Sequence, residues 1–359
     1  MGTMSSTGPS VAECDVMVNG TPLPEGTLSY LMEVTVDQSV ELPSMFSFLL
    51  ASSDAQAQPV AWMNKVSAFA IGDAMEIKLG YHNKLATLIR GEVTSLEPEF
   101  SASSLPRLRV RGYDRRHRLQ RGRKTKSFLK QKDSDIAASV GGAAGLSVNA
   151  TDSTTVHEYV LQANQTDWEF LCERASRIRY EVLVDDKTMT FRPAANDQSA
   201  VLTLDVEHQS DLLEFRSRLS AAAQPTSVKV QGWSVPDKQK LVGSSSSGDV
   251  VSRMGGGKTG GEMVQAAFSA ADEVLTGYPV AVQAEADAIA KACLNEAALE
   301  FITGEGICIG NTDLCAGKVI TITGIGSRFS GQYYVTCAIH SFTPDRGYQT
   351  EFTARRTAS

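Results

Sequence analysis

Apolar and polar residues alternate along the first hundred or so positions of the chain. Met75, Ile77 and Leu79 occur at every second position, and Leu108 and Val110 repeat the spacing farther on. A period of two predicts β-strands with one buried face. Short strands separated by turn residues indicate a barrel or a sandwich.

The period becomes helical in the middle of the chain. Apolar spacing after Asp133 predicts a short helix, and Thr166 with Glu169 forms a capping-box pattern that predicts the start of another. Two strands are expected at 180–184 and 188–192, joined by a short turn containing two aspartates. The middle of the chain is therefore predicted to be a small α+β unit.

Strand patterning returns at Val228 and Val230 and again after residue 333. Between them, residues 243–261 are rich in Gly and Ser, show no hydrophobic period, and predict a mobile loop. A helix is expected at about 282–301. The order of the chain is thus β, then α+β, then β with an inserted helix.

Charge is distributed unevenly over the 359 residues, whose net charge is −7. Twelve Lys or Arg and a single acid, Asp114, lie between Arg107 and Lys132, whereas the remainder carries 22 basic and 40 acidic residues. We call residues 107–132 the basic band. Such a band fits nucleic-acid binding, and it equally fits contact between copies in an assembly.

The sequence offers no convincing catalytic chemistry. The segment from Gly255 to Thr259 resembles a phosphate loop, but Ser252 stands where that motif requires Gly. The five histidines are not at metal-ligand spacing, and Asp185 and Asp186 read as turn residues. We predict no catalytic, cofactor-binding or metal-binding residues, no cofactor, and no enzymatic activity.

Six cysteines are present without a C-x-x-C pair, so we expect reduced thiols rather than a zinc or redox motif. No run of eighteen apolar residues occurs, and no membrane insertion by this chain is expected.

Four segments resemble the phage late control protein D family and the hub portion of VgrG-type spike proteins, and they follow that family's order. They are LRVRGYDRRHRL (108–119), NQTDWEFLCER (164–174), VKVQGW (228–233) and FSGQYYVT (329–336).

This resemblance implies an α+β, mainly β fold with two tail-tube-like β-barrel domains, an inserted α+β unit and a pseudo-sixfold homotrimer. The implied function is that of a baseplate hub in a contractile injection system, which adapts a sixfold tail tube to a threefold spike. Expected partners are tail tube proteins, a trimeric spike protein or domain, and other baseplate proteins. Assembly would occur in the cytoplasm, and the particle is left open between phage virion, extracellular injection particle and secretion system.

The predicted division follows from the same reading, and the two barrels are expected to share a topology despite little sequence similarity. The predicted segments are a flexible N-terminus (1–14), a first β-barrel domain (15–115), an α+β unit (116–205), a second β-barrel domain with an inserted helix (206–242 and 263–359) and a mobile Gly/Ser-rich loop (243–262).

An alternative function is nucleic-acid binding through the basic band. The band has few interleaved aromatic residues for base stacking. In the hub reading, its cations should instead pair with acids on neighbouring copies or assembly partners.

Overall fold

A computed structural model describes residues 11–52, 59–66, 69–82, 84–101, 103–207 and 211–359. The first third is a β unit built on the predicted alternation, with Val34, Phe46 and Ile77 fully buried in its core. Its elements are β1 (Ala12–Val18), β2 (Thr21–Pro22), α1 (Glu25–Leu28), β3 (Leu31–Ser39), β4 (Met45–Ala51), α2 (Pro59–Val66), β5 (Ala74–Tyr81), β6 (Lys84–Glu99) and β7 (Arg107–Tyr113).

The middle of the chain forms the predicted α+β unit around a separate core that contains Ile136, Phe170 and Phe191. Its elements are α3 (Arg116–Leu119), β8 (Lys124–Lys132), α4 (Asp133–Ala143), β9 (Ser147–Ala150), β10 (Val156–Gln165), α5 (Asp167–Arg177), β11 (Tyr180–Asp185) and β12 (Thr188–Pro193). Helix α5 starts as predicted, because the Thr166 hydroxyl accepts from Glu169 N while the Glu169 carboxylate accepts from Thr166 N.

The last part of the chain contains a second β unit and a smaller insertion. The elements are β13 (Leu202–Asp205), β14 (Leu212–Leu219), β15 (Ser227–Ser234), β16 (Gln239–Ser246), α6 (Gly260–Phe268), β17 (Asp272–Leu275), α7 (Gln283–Leu299), β18 (Ile302–Ile309), β19 (Val319–Thr323), β20 (Gly331–Thr343) and β21 (Gly347–Arg356). Strands β15, β16 and β17 form a sheet of their own, which packs on α7 around Val230 and Ile289. The prediction of a mainly β fold with an α+β part is confirmed.

The two β units have the same strand order. In the first unit the order across the sheet is β3-β4-β7-β6-β5-β1, and in the second it is β14-β18-β21-β20-β19-β13. Numbered by occurrence within each unit, with the two-residue strand β2 beside β1 left out, both read 2-3-6-5-4-1. One pairing differs, because β1 is antiparallel to β5 whereas β13 is parallel to β19. The predicted shared topology is therefore confirmed at the level of strand order.

Irregularities in the sheets also recur at corresponding places. The pairing of β6 with β7 shifts register between Val93 and Ser95, and that of β20 with β21 shifts between Val335 and Cys337. A bulge fixes the local register and twist of a strand. The recurrence therefore aligns Val93 with Val335.

A second pair of bulges aligns another strand of each unit. The pairing of β3 with β4 shifts between Leu31 and Glu33, and that of β14 with β18 shifts between Leu212 and Glu214. Glu33 therefore corresponds to Glu214.

A glycine turn supports the same alignment. Gly72 N donates to Val93 O at 2.9 Å, and Gly317 N donates to Val335 O at 2.8 Å. Both glycines have positive φ angles, +93° and +79°, which residues with a side chain rarely adopt. The two units thus share strand order, bulges and a turn.

The two units join edge to edge within the chain. Residues Cys337–Phe342 of β20 pair antiparallel with Val34–Ser39 of β3. In the second unit β20 is the third strand of the sheet, counted from β13. It pairs with β3, the outermost strand of the first unit's sheet at the end away from β1. One sheet runs through both units as a result.

The structure differs from the predicted Gly/Ser-rich loop. Residues 243–246 belong to β16, and α6 starts after Thr259, whose side chain accepts from Glu262 N. Hydrophobic periodicity is missing because small residues face the neighbouring helix: a Cβ on Gly243 would lie 2.1 Å from backbone atoms of Ala286. Close packing of backbones here replaces burial of large side chains.

Three further boundaries differ from those predicted. Ala12–Cys14 belong to β1 rather than to a flexible N-terminus, while residues 1–10 of that segment lie outside the described residues. Strand β13 lies in the predicted α+β segment but pairs with β19 of the second unit. Strands β15 and β16 were expected in the second barrel and instead form the insertion sheet.

Candidate assembly surfaces

The basic band forms β7, α3 and β8, and most of its charges are neutralised within the chain. Eight of its twelve basic residues form ion pairs with acids of the same chain; these are Arg109, Arg111, Arg115, Arg116, Arg118, Arg123, Lys124 and Lys132. Among the described residues, Arg107, Arg121, Lys126 and Lys130 form no ion pair. These eight pairs contradict the expectation that all twelve cations pair with acids on neighbouring copies or assembly partners; for the other four, that pairing remains a prediction.

Glu92 in β6 is the centre of this neutralisation. Its carboxylate accepts from Arg115 Nε at 3.0 Å and from Arg118 Nε at 2.8 Å, and it lies 3.0 Å from His117 Nε2. Burial alone would raise the pKa of Glu92, but the hydrogen bonds from Arg118, His117 and Arg115 outweigh it and lower the pKa to about 2. Glu92 is therefore ionised at neutral pH.

The same cluster ties the first β unit to the α+β unit. Arg115 also contacts Asp186, and Arg90 Nη1 lies 3.5 Å from Asp185 Oδ1. Both aspartates lie at the β11–β12 turn, as the sequence predicted. Their carboxylates dock on the β sheet beside Glu92.

A second buried pair lies beside this cluster. Arg116 Nε donates to Asp114 Oδ2 at 2.8 Å, and Ser44 N donates to the same oxygen at 2.8 Å. The Arg116 guanidinium also lies 5.7 Å from the centre of the Trp168 ring on α5. This part of the band therefore holds the two units together.

The segment that resembles a phosphate loop lies against the end of the described chain. Gly257 N and Lys258 N donate to Ser359 O at 2.8 and 3.2 Å. Helix α6 does follow this segment, which the sequence argument did not foresee. Two of the backbone donors that could hold a phosphate, at Gly257 and Lys258, are therefore occupied by Ser359.

The aromatic residues of the resembling segments divide between core and surface. Trp168 and Tyr333 are buried, and Trp233 is 57% exposed. Gly112 permits close strand contact, because a Cβ there would lie 2.1 Å from Glu92 O.

All six cysteines are free thiols in the structure. Burial raises the pKa of Cys308 to about 12, with the Asp211 carboxylate adding to the effect. That the thiols are reduced in the native protein remains a prediction.

Two features are absent from the part of the chain that the structure describes. No three His, Cys, Asp or Glu side chains there are placed to hold a metal ion. No helix there has the length and apolar character to cross a bilayer. The predicted lack of site residues remains a prediction.

Two sheet edges carry exposed charged residues. Beyond the end of β5, strand β6 exposes Glu97 and Glu99 on either side of Pro98. In the described part of the chain, strand β14 pairs with β18 alone, and it exposes Arg216 and Arg218 together with one acid, Glu214. Neither edge was predicted from the sequence, although the sequence contains both short patterns, Glu-Pro-Glu and Arg-Ser-Arg.

Comparison with solved structures identifies the class of fold. The 43 kDa tail protein of prophage MuSo2 from Shewanella oneidensis is 12% identical, with a TM-score of 0.70 over 96% of this chain and 98% of that one. A tail protein from Neisseria meningitidis is 14% identical, with a TM-score of 0.68 over 96% and 97%. The E. coli c3393 protein, a type VI secretion component described as similar to the T4 tail proteins gp27 and gp5, is 14% identical, with a TM-score of 0.58 over 96% and 77%. The chain therefore has the fold of phage tail proteins.

The family follows from the sequence. The model of the family described as the Alg8 N-terminal domain matches residues 9–344, and the chain belongs to that family. A comparison with curated proteins found no match.

Proposed function

We propose that the chain is a structural baseplate hub of a contractile, phage tail-like particle, and that a homotrimer adapts a sixfold tail tube to a threefold spike. The observation that carries this proposal is the recurrence of one strand order and its bulges in two units of one chain. Three copies would present six such units, which is the number that a sixfold tube requires.

The proposed partners follow from this role. Tail tube proteins would contact the ring of six β units, a trimeric spike would contact the opposite face, and other baseplate proteins would surround it. We propose assembly in the cytoplasm into a virion or an extracellular injection particle. The likeness in fold to tail proteins supports this role, as do the four sequence segments that resemble late control protein D and VgrG hubs.

We further propose that the chain has no catalytic activity of its own. Support comes from the phosphate-loop-like segment, whose backbone donors at Gly257 and Lys258 are already bonded to Ser359. In this proposal the β units act as barrels around the tube axis, and the α+β unit extends from them.

Nucleic-acid binding through the basic band has less support. Binding to phosphates requires free cations. Eight of the band's twelve cations are paired within the chain, which leaves Arg107, Arg121, Lys126 and Lys130.

Cryo-electron microscopy of the assembled particle tests the proposed function. We expect three copies at the layer between tube and spike, with six β units around the axis. The copy number is the decisive quantity, because three copies fill six positions around the axis only if each chain contributes two β units. A ring of six copies, or a position outside the tube–spike junction, would contradict the proposal.

A further inference from the structure

The two β units share a topology, but they differ at one edge: the corresponding edge is paired with a strand in the second unit and open in the first. In the second unit, the part of β20 beyond β19 is covered, because β3 pairs with it. In the first unit, the corresponding part of β6, Val93–Glu99, pairs with β7 on one side, and no strand of the described chain pairs with its other side. Strand β14, which corresponds to β3, also has an edge without a strand partner among the described residues.

We propose that residues 95–99 of β6 pair antiparallel with β14 of a neighbouring copy, repeating between chains the contact that β20 and β3 make within one chain. The proposed occupant of each edge is thus a second copy of this chain. This inference rests on the proposed function, which supplies the ring of copies. If every copy makes this head-to-tail contact around a closed ring, neither the β6 edge nor the β14 edge of any copy remains unpaired.

The bulges define the register of the proposed pairing. Because Val93 corresponds to Val335, Glu97 corresponds to Ile339. Because Glu33 corresponds to Glu214, Arg218 corresponds to Asp37.

The contact within the chain then supplies the partners. Ile339 and Asp37 lie directly opposite each other, so Glu97 of one copy would lie opposite Arg218 of the next. In an antiparallel pair the residue numbers run in opposite directions. Glu99, two residues after Glu97, therefore lies opposite Arg216, two residues before Arg218.

The apolar side of the strands agrees with this register. It places Leu96 opposite Leu219, and both side chains are partly buried against the cores of their own units. The side-chain period of two then puts the charged pairs on the other side of the sheet.

A shift of register would break the charge match. A slip of two residues in one direction places Glu99 opposite Glu214, and a slip in the other direction places Glu97 opposite Ser220. Only the register taken from the contact within the chain opposes both acids to a basic residue. Cross-strand pairs of opposite charge stabilise a sheet, and like charges destabilise it.

Two of the four charges form no ion pair in the described chain, and the other two form only exposed ones. Glu99 and Arg218 form no ion pair in the described part of the chain. Glu97 lies 3.2 Å from Arg111, and Arg216 lies 2.7 Å from Glu214, both in exposed positions where an ion pair contributes little.

Charged residues and Pro98 also protect an exposed edge against unwanted pairing. Protection against unwanted pairing does not by itself require that Glu97 and Glu99 lie opposite residues of the opposite charge. Pro98 has no N–H, so the proposed ladder loses at most one hydrogen bond there.

Disulfide trapping in purified particles tests the register. We expect Glu97→Cys combined with Arg218→Cys to give covalent dimers and trimers on non-reducing gels, because Cβ atoms of opposed residues lie ~4.5–5.5 Å apart. The matched control, Glu97→Cys with Arg216→Cys, is two residues out of register and should give at least about tenfold less product. Each single variant measures the background from native cysteines.

The outcomes separate the two proposals. A three-copy ring without the matched cross-link would overturn the pairing and leave the hub function standing. Covalent rings larger than a trimer would support the pairing and contradict the hub stoichiometry. A particle without this chain at the junction would overturn both.

Charge reversal gives an independent measurement. Glu97→Arg with Glu99→Arg should reduce incorporation into particles by about tenfold, as should Arg216→Glu with Arg218→Glu. The combined fourfold variant should recover incorporation to within about twofold. Failure of this recovery, with a normal melting temperature for the fourfold variant, would contradict the proposed pairing.

Discussion

Glu92 accepts hydrogen bonds from side chains that lie 23 to 26 residues further along the chain. The sequence places one acid, Asp114, within the basic band, and it gives no sign that Glu92 belongs with it. The partners meet because β6 and β7 are neighbours and α3 turns back over them. Pairing of this kind is set by tertiary structure and has no local sequence pattern.

The lowered pKa of Glu92 predicts a pH-dependent contribution to stability. The folded value of about 2 lies below the ordinary 4.5, so this stabilisation is present above about pH 4.5 and is lost as the pH falls toward 2. Glu92→Gln should lower the free energy of unfolding by about 3 kcal/mol at pH 7, and by much less at pH 3. Urea unfolding at both pH values measures the difference, with Glu99→Gln as an exposed control. An equal loss at both pH values would refute the ionic origin of the effect.

Arg116 tests whether the basic band serves the fold. Its guanidinium is buried against Asp114, so Arg116→Ala should destabilise the isolated chain by about 3–5 kcal/mol, because an unpaired buried carboxylate remains. Arg121→Ala, at an exposed position without an ion pair in the described chain, should change stability by less than about 0.5 kcal/mol. Thermal unfolding of the free chain compares the two. If both variants were as stable as wild type and failed only in particles, the band would belong to contacts between copies.

At the scale of elements, strong local signals predicted structure correctly. The alternation in β5 and β7, the capping box of α5 and the β11–β12 hairpin all appear where the sequence indicated them. The signal failed at β16 and α6, where Gly and Ser were read as a loop. Close contact between Gly243 and α7 excludes the large side chains that would have revealed a period.

Pairing partners were predicted less well than the strands themselves. Strands β15 and β16 were recognised in part, but their separate sheet was not foreseen. A period of two identifies a strand without naming its neighbour. The open edges of β6 and β14 depend on strand pairing, which no local sequence pattern specifies.

The contacts of Lys258 predict that the phosphate-loop-like segment binds no nucleotide. Its backbone N–H is bonded to Ser359, so Lys258→Ala should keep the fold and the melting temperature. ATP with Mg²⁺ should leave the melting temperatures of both proteins unchanged, because a ligand raises the melting temperature only if it binds the folded state. Gly256→Val is the structural contrast: its Cβ would lie 2.6 Å from Ala358, so this variant should melt lower. A saturable ATP-dependent stabilisation lost in Lys258→Ala would contradict this prediction.

At the scale of the whole molecule, the chain contains two kinds of edge, one already paired and one open. The contact between β20 and β3 is complete within a single copy. The open edges of β6 and β14 belong to units with the same strand order, and their charges are complementary in the register of that contact. In such an assembly, β6 of one copy would pair with β14 of the next in the same register as β20 pairs with β3 within one copy.

Hydrogen exchange of the free chain and of the assembled particle tests this use of the edges. In the free chain, backbone N–H groups on the open sides of residues 95–99 and 213–219 should exchange rapidly, because no strand in the described part of the chain covers them. In the particle, those N–H groups should exchange more slowly, on the order of tenfold or more. Peptides from β3 and β20 are the internal reference and should be protected in both states, since their pairing lies within one copy. Unchanged exchange at β6 and β14 on assembly, with protected β3 and β20, would show that the open edges are not where the copies meet.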